Sequence, residues 1–271
     1  MTAKPYLRAV CCGILFAVFL AGIFAGMLTP CSYAAQYREA PKAAPSALHP
    51  FGTDALGRDL LARLLYGTRV SLLLAPAAAL LATAIAGLFG GIAGLAGGWS
   101  EKVILSAADL SMALPLLFVL IALRALLPLD VSPLVSVLAT FLTLGALGWP
   151  SALRVTWGAA RTLRQADFLL LARAGGCSPA RILLRHVLPN LRPVLFAQFW
   201  ISIPLFILTE ATLSMLGLGV MEPLPSWGNL LKGLEDFSAV RANPWMLSPL
   251  LLLLLVVISF QFVVRAQGEP A

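Results

Sequence analysis

Few residues in this chain are of the types that perform catalysis or bind metals. The sequence has 271 residues with two histidines, His49 and His186. Its four cysteines are scattered rather than grouped: Cys11, Cys12, Cys31 and Cys177. No nucleophile with a base, carboxylate pair or metal cluster can be found in the apolar, span-length stretches, and the cysteines and histidines show no metal-ligand spacing. The sequence therefore predicts a protein that is not an enzyme and that has no metal site and no cofactor of its own.

The composition is that of a membrane protein. Hydrophobic residues make up 60% of the chain and the mean hydropathy is +0.91, whereas soluble domains contain roughly 45–50% apolar residues. One membrane-spanning helix needs about 20 apolar residues. We predict an all-α polytopic protein without a separate soluble domain. Its six candidate spans are 9–28, 70–96, 103–127, 134–153, 191–217 and 247–265.

The distribution of charge predicts the orientation. If the N terminus is inside, the inner segments hold eleven basic and three acidic residues, whereas the outer segments hold seven of each. Because inner segments of membrane proteins are enriched in Lys and Arg, we expect both termini in the cytoplasm. The basic pI of about 9.7 is explained by this topology, so we expect no nucleic-acid partner, and the partner surface is lipid.

We expect three parts along the chain. Residues 1–69 form an N-terminal anchor helix and an external amphipathic segment, 70–265 form the core with a cytoplasmic loop at 154–190, and 266–271 form a short tail. The first apolar run favours a retained anchor, since it has about 20 residues and the core of a signal peptide has about 7–15. A cleaved signal peptide is the alternative.

The external segment ends in an amphipathic stretch, which favours a helix lying at the membrane surface. Either a packing collar around the spans or a contact surface for a partner explains that pattern. Its apolar residues are Leu56, Leu60, Leu61, Leu64 and Leu65, and its charged residues are Arg58, Asp59 and Arg63.

Glycine and proline mark special positions in the spans. The glycine pairs 87/91, 90/94 and 94/98 have the spacing that lets two helix backbones approach closely in lipid. They indicate close packing or a mobile gate. Pro76, Pro115 and Pro204 each remove a helical hydrogen bond, so we expect kinks or hinges there.

The cytoplasmic stretch 167–190 is predicted to form two short helices with a hinge. Asp167 is expected to cap a helix over 168–174, which Gly175-Gly176 ends. Ser178 and Pro179 begin the second helix and Pro189 ends it. The first helix is almost wholly apolar and too short to be stable alone, which indicates that its apolar face binds a groove on a partner.

This stretch resembles the cytoplasmic coupling loop, the EAA motif, of the permease subunits of binding-protein-dependent ABC importers. It departs from the motif at Leu170, where a glutamate is expected, and at Gly175, where a leucine is usual. The matching residues are Asp167, Phe168, Ala172, Arg173, Ala174, Gly176, Ser178, Arg181, Ile182, Arg185, His186, Leu188, Pro189 and Asn190.

Three further segments resemble the peptide and nickel branch of that family. HPFGTDALGRD begins at His49, GGWSEKVILSAADLSMALP begins at Gly97, and EATLSMLGLGV with PSWGNLL lies between Glu210 and Leu231. The resemblance covers residues from about 48 to 260 and departs in the tail. It implies the MetI-like permease fold in a bacterial cytoplasmic (inner) membrane and transport of di- or oligopeptides. Nickel or a nickel chelate is the alternative substrate.

The resemblance also implies partners and the residues that contact them. The implied partners are a second homologous permease, two cytosolic ATP-binding subunits and an external solute-binding protein. The chain has no phosphate-binding G-x-x-x-x-G-K loop, so ATP must be bound by other subunits. A self-sufficient secondary transporter is the competing class, but we find no inverted repeat. The implied ATPase-coupling residues are Asp167, Phe168, Ala172, Arg173, Ala174, Gly176, Ser178, Arg181 and His186, with Gly176 as the tight turn between the two helices or a simple helix stop.

Two acidic residues, Asp109 and Glu210, lie within predicted spans. Charged groups in a membrane are costly and often functional. Each either pairs with a neighbouring helix or faces a water-filled translocation path. If Glu210 lines the path, a stably assembled Glu210→Leu variant must lose uptake of substrate into reconstituted vesicles. Uptake at the normal rate would overturn that role.

Overall fold

A computed structural model describes residues 3–126 and 132–268, except for a few side chains. Within these ranges the chain forms helices joined by turns and loops, with no named strand. The α-helices are α1 Ala3–Ile23, α2 Ala25–Leu28, α3 Leu60–Ala96, α4 Gly98–Ala113, α5 Leu116–Ala125, α6 Pro133–Leu147, α7 Trp149–Leu163, α8 Asp167–Ala174, α9 Pro179–Ile182, α10 Leu188–Asn190, α11 Arg192–Met215, α12 Trp227–Lys232, α13 Phe237–Ala242 and α14 Ser248–Gly268. A π-helical turn spans Leu183–Val187, and short 3-10 turns span Gly233–Glu235 and Pro244–Leu247.

Five stretches in the described part of the chain are long and apolar enough to cross a membrane. They are Tyr6–Ile23, Leu60–Ala96, Pro133–Leu163, Arg192–Met215 and Pro244–Val264. Each overlaps a predicted span, and together they confirm the all-α polytopic class.

The remaining predicted span, 103–127, is divided into α4 and α5. Leu114 is extended, with φ −78° and ψ 125°, because the residue before a proline disfavours the helical region and Pro115 has no N–H to donate. The predicted end of this span at residue 127 lies outside the described residues.

The prolines at 76 and 204 behave differently from Pro115. Both lie inside continuous helices, Pro76 in α3 and Pro204 in α11. The helix is interrupted at Pro115, whereas the kinks or hinges expected at Pro76 and Pro204 stay predictions, because a continuous helix can still bend at a proline.

The prediction of a separate surface helix is wrong, because that stretch runs into α3. The 37 residues of α3 extend over about 56 Å, well beyond the roughly 30 Å of a bilayer core. Residues 60–69 are the first turns of this helix, because no proline or left-handed residue separates them from the apolar span. Asp59 precedes the helix, and its Oδ1 accepts a hydrogen bond from the backbone N–H of Ala62 at 2.6 Å.

The chain divides into two compact units. The first comprises the described residues of 1–75, 127–141 and 204–271, and the second those of 76–126 and 142–203. In the first unit α1 packs along α14, and Trp227 is fully buried. The Trp227 indole donates a hydrogen bond to Thr68 Oγ1 at 3.0 Å. This bond and the surrounding burial hold the loop after α11 against the start of α3.

The second unit is organised by close approach of α3 to α7. A Cβ atom placed on Gly94 would lie 2.5 Å from the Ala160 Cβ and 2.8 Å from the Arg161 backbone nitrogen. Gly90 approaches Thr156 and the Leu153 carbonyl in the same way. The predicted close packing is confirmed at Gly90 and Gly94, whereas Gly98 has no atom within 4 Å of its Cβ position, so the close approach predicted for the 94/98 pair is wrong at Gly98. A gating role stays a prediction.

We predict that Gly94→Ala destabilises the protein by about 1–3 kcal/mol, because the added methyl group must push α7 away from α3. The matched control is Gly158→Ala in α7, since Gly158 has no atom within 4 Å of its Cβ position and alanine favours the helix by about 1 kcal/mol. Unfolding of the purified variants in mild detergent measures both effects. Equal stability of the two variants would contradict the packing described.

Candidate functional site

The candidate site is the loop built around α8, which the distribution of charge predicts to be cytoplasmic. This helix has eight residues and is about 12 Å long, too short to be stable by itself. Leu169 has no exposed surface and lies in a compact apolar cluster. Complete burial of one leucine contributes about 1.5–3 kcal/mol. The buried members of the cluster are Ala160, Leu169, Ile182, Leu183, Val187 and Leu191.

The cluster joins the loop to two spans. Ala160 belongs to α7 and Leu191 directly precedes α11, while Ile182 to Val187 belong to the second part of the loop. In addition, the Arg173 guanidinium donates to the Leu95 carbonyl near the end of α3, at 3.5 Å. A force applied to α8 therefore acts directly on helices that continue into the membrane.

The opposite face of α8 is apolar and exposed. Leu171 is 72% exposed, Leu170 is 50% exposed and Phe168 is 39% exposed. Exposed apolar side chains on an ordered helix outside the spans are typical of an interaction surface. Leu170, which departs from the family motif, enlarges this surface.

The start of α8 differs from the prediction. Ala166, not Asp167, is the N-cap residue, and its carbonyl accepts hydrogen bonds from the N–H groups of Leu169 and Leu170. Asp167 lies in the first turn instead, where its negative charge stabilises the helix dipole without forming a cap bond.

The end of α8 is a Schellman turn that requires Gly176. The N–H of Cys177 donates to the Ala172 carbonyl at 3.1 Å, and the N–H of Gly176 donates to the Arg173 carbonyl at 3.0 Å. Gly176 has φ +74°, in the left-handed region that favours glycine. Gly175 has an ordinary φ of −75°. Of the two predicted stop glycines, only Gly176 supplies the positive φ.

The second helix of the loop also differs from the prediction. Ser178 occupies the N-cap position and Pro179 the first helical position as predicted, but the Ser178 hydroxyl makes no cap bond. Pro189 does not end the helix. A π turn over Leu183–Val187 widens it, with the Leu188 N–H donating to the Leu183 carbonyl, and this wider turn accommodates a proline that lacks an N–H. The helical path continues to Asn190, whose side chain donates to the His186 carbonyl at 2.6 Å.

The structure thus brings the predicted coupling residues into one loop. Ala172 packs on the apolar cluster, and His186 lies in the π turn. The exposed members are Asp167, Phe168, Arg173, Ala174, Gly176, Ser178 and Arg181. Their role in coupling stays a prediction.

The two acidic residues of the spans have different surroundings. Asp109 on α4 forms an ion pair with Arg154 on α7, and both side chains are about half exposed. Glu210 on α11 is fully buried, and its Oε1 accepts a hydrogen bond from the Ser214 hydroxyl at 2.6 Å. In the part of the chain that is described, no group bonds to the other Glu210 oxygen. A role of either residue in the translocation path stays a prediction.

Charged residues just before α3 and in its first turn hold loops together. Arg58 Nε binds Asp54 Oδ2 at 2.7 Å, and the Arg58 and Arg63 guanidinium groups bind Glu222 at 2.7 and 2.8 Å. Sequence reasoning assigned Arg58 and Arg63 to the polar face of a surface helix. Their partner Glu222 lies 159 residues after Arg63, so helical spacing gave no signal for this contact.

A further ion pair joins Lys42 to Asp236. Lys42 Nζ lies 2.8 Å from Asp236 Oδ2. This hydrogen bond is the main cause that lowers the pKa of the Asp236 carboxyl, which also accepts from Ser238 and caps α13 at the Ala239 N–H.

We predict that Gly176→Ala raises the rate at which trypsin cleaves the loop by roughly 5- to 30-fold. A left-handed alanine costs about 1–2 kcal/mol, which favours local opening of the turn. Gly176→Asn should have a smaller effect, because asparagine tolerates this conformation. Gly175→Ala is the matched control and should leave the rate nearly unchanged. Equal rates for the Gly175 and Gly176 alanine variants would show that the turn does not require glycine.

Comparisons with known proteins agree with this geometry. The family of binding-protein-dependent transport system inner membrane components matches residues 62–268. The oligopeptide transport system permease protein OppC of Escherichia coli (strain K12) is 38% identical over 216 residues, which cover 79% of this chain and 69% of that protein. The corresponding protein of Salmonella typhimurium is 39% identical with the same coverage. OppC of Bacillus subtilis is 31% identical over 234 residues, 86% of this chain and 74% of that protein.

The match and the membrane helices together confirm the resemblance and the permease fold that it implied. The family match covers α3 through α14, including the loop around α8. This chain belongs to the family of inner membrane components of binding-protein-dependent transport systems.

Proposed function

We propose that this chain is a permease subunit of an ATP-driven importer that carries di- or oligopeptides across the cytoplasmic membrane. The observation that carries the proposal is the exposed apolar face of α8 on an ordered loop, opposite its buried Leu169. A contiguous apolar face on an ordered helix outside the spans is typical of a surface that a partner covers. The peptide substrate is supported by the relatives, which are named as oligopeptide transport permeases.

We propose that ATP drives transport by moving α8. Two cytosolic ATP-binding subunits close on binding ATP, and one of them holds the α8 face formed by Phe168, Leu170 and Leu171. The motion of α8 passes through Leu169 and its cluster to α7 and α11. Packed apolar clusters resist compression. A displacement of α8 therefore moves α7 and α11 together with the loop.

The coupling residues then divide into two roles. Phe168 contacts the partner, with Asp167, Ser178 and Arg181 around it as exposed polar residues. Ala172, Ala174, Gly176 and the π turn at His186 keep α8 at a fixed angle to the second helix, and Arg173 ties it to α3. The first group determines affinity for the partner, and the second determines how well its movement is transmitted.

The complete transporter is proposed to contain a second, homologous permease subunit, and an external solute-binding protein that delivers the peptide. Both termini of this chain then lie in the cytoplasm, as the distribution of basic residues favours. Asp109 and Glu210 are proposed to line the translocation path. The half-exposed Asp109–Arg154 pair supports this for Asp109, since a charged pair in a span requires water or polar neighbours.

The proposal predicts that Leu171→Asp separates the chain from its ATP-binding subunits. A buried carboxylate without a partner costs several kcal/mol at an apolar interface, so recovery of the ATP-binding subunits should fall at least tenfold. Gln165→Asp is the matched control, because Gln165 is an exposed polar residue just before α8. The measurement is affinity purification of the tagged chain from native membranes with quantitative mass spectrometry.

Peptide uptake by the same preparations, reconstituted in vesicles, completes the test. The wild-type complex and Gln165→Asp should take up labelled peptide only when ATP is supplied, and Leu171→Asp should not. Uptake of peptide by the chain alone, without any ATP-binding subunit, would contradict the proposal in favour of a secondary transporter.

A further inference from the structure

Three side chains of different chemistry meet outside the proposed coupling site. Cys31, His49 and Asp59 are all buried, and their candidate ligand atoms lie within 4.8 Å of one another. The sequence predicted no metal site, because these residues are far apart along the chain and none has a neighbour at a ligand spacing. The fold brings them together from the turn after α2, the loop before α3 and the residue that precedes α3.

The donor set is that of a zinc site. Zn²⁺ binds cysteine sulfur at about 2.3 Å and histidine nitrogen and carboxylate oxygen at about 2.0–2.2 Å. From this geometry we propose that Cys31 Sγ, His49 and Asp59 Oδ2 bind one Zn²⁺ ion, with water as the fourth ligand. Binding replaces the thiol proton, so that Zn²⁺ forms a bond to the Cys31 thiolate and one proton is released to solvent.

The balance of charge favours an ion at this position. A thiolate and a carboxylate together carry two negative charges, which one divalent cation neutralises. A neutral assembly of this kind avoids most of the cost of burying separate charges. The four cysteines are all free, so the Cys31 thiol is available for this bond.

The two ligands nearest α3 are already oriented. His49 Nδ1 lies 2.9 Å from Asp59 Oδ2, while Asp59 Oδ1 caps α3 through the Ala62 N–H. The Tyr37 ring packs edge-on against His49 with 4.7 Å between the ring centroids. The Asp59 carboxylate can therefore offer Oδ2 to a metal without losing the cap, and the bonds of His49 and Asp59 to the metal replace the hydrogen bond between them.

Only a small movement is needed to complete the site. In a tetrahedral zinc site the ligand atoms are separated by about 3.3–3.8 Å, as follows from the bond lengths. The Cys31 Sγ lies 3.7 Å from the Leu48 carbonyl and shares a side-chain hydrogen bond with Tyr37, so binding of zinc exchanges these two contacts for one bond to the metal. The ion would fasten the outer end of the first span to the start of α3, and this role is independent of the substrate and of ATP.

The test is the zinc content of the purified full chain after chelation and reloading with Zn²⁺. The wild type should retain about one equivalent of zinc per chain, and Co²⁺ in its place should give an intense sulfur-to-cobalt absorption band. Cys31→Ser and Asp59→Asn should each lower zinc affinity at least tenfold. Cys12→Ser, which removes an exposed thiol from α1, is the matched control and should retain zinc. Equal zinc content in wild type and Cys31→Ser, or no retained zinc in wild type, would overturn the proposal.

A second measurement uses a chain in which all three ligand residues are unchanged, so its result does not depend on whether the ligand variants fold. With Cys11, Cys12 and Cys177 replaced by serine, Cys31 is the remaining thiol. Zn²⁺ should slow its alkylation at least tenfold, and a chelator should restore the original rate. An alkylation rate unaffected by Zn²⁺ would overturn the site even if the serine variants are unstable.

Discussion

The burial of one face of α8 is the constraint on which the candidate site depends. Eight residues cannot form a stable helix in water by themselves, so the orientation of α8 is set by its contacts rather than by its own sequence. Leu169 and the cluster around it supply those contacts, and they belong to helices that continue into the membrane. The same arrangement leaves Leu171 exposed on the other face. An apolar contact surface is thus fixed rigidly to the spans.

Glycine determines how closely these elements approach and where they end. Gly94 lets the α3 backbone touch α7, which brings Ala160 beneath α8 as part of the cluster. Gly176 reverses the chain after α8 in a left-handed conformation that other residues adopt only with strain. The loop is therefore compact because two positions have no side chain. A larger residue at Gly94 or at Gly176 would weaken the contacts that hold the exposed face of α8 in place against the spans.

The sequence predicted the features that depend on local patterns. Long apolar runs identified the membrane helices, and the pair Gly175-Gly176 identified the end of α8, where Gly176 supplies the positive φ. Predictions failed where a local preference had to compete with packing. Asp167 is a good cap residue, but the helix begins one residue earlier, and Pro189 is accommodated by a π turn rather than ending its helix. The Arg63–Glu222 ion pair and the meeting of Cys31 with His49 and Asp59 depend on the complete fold, and no spacing in the sequence indicates them.

We propose that α8 contacts an ATP-binding subunit in the cytoplasm. The most direct test of this contact is photo-crosslinking with p-benzoylphenylalanine in place of Phe168, an aromatic residue of the exposed α8 face. The same probe in place of Phe237, which is 77% exposed on the predicted external side, is the matched control. We expect the Phe168 position to crosslink to an ATP-binding subunit and the Phe237 position not to do so. A crosslink to that subunit from Phe237, or none from Phe168 in an intact complex, would contradict the account.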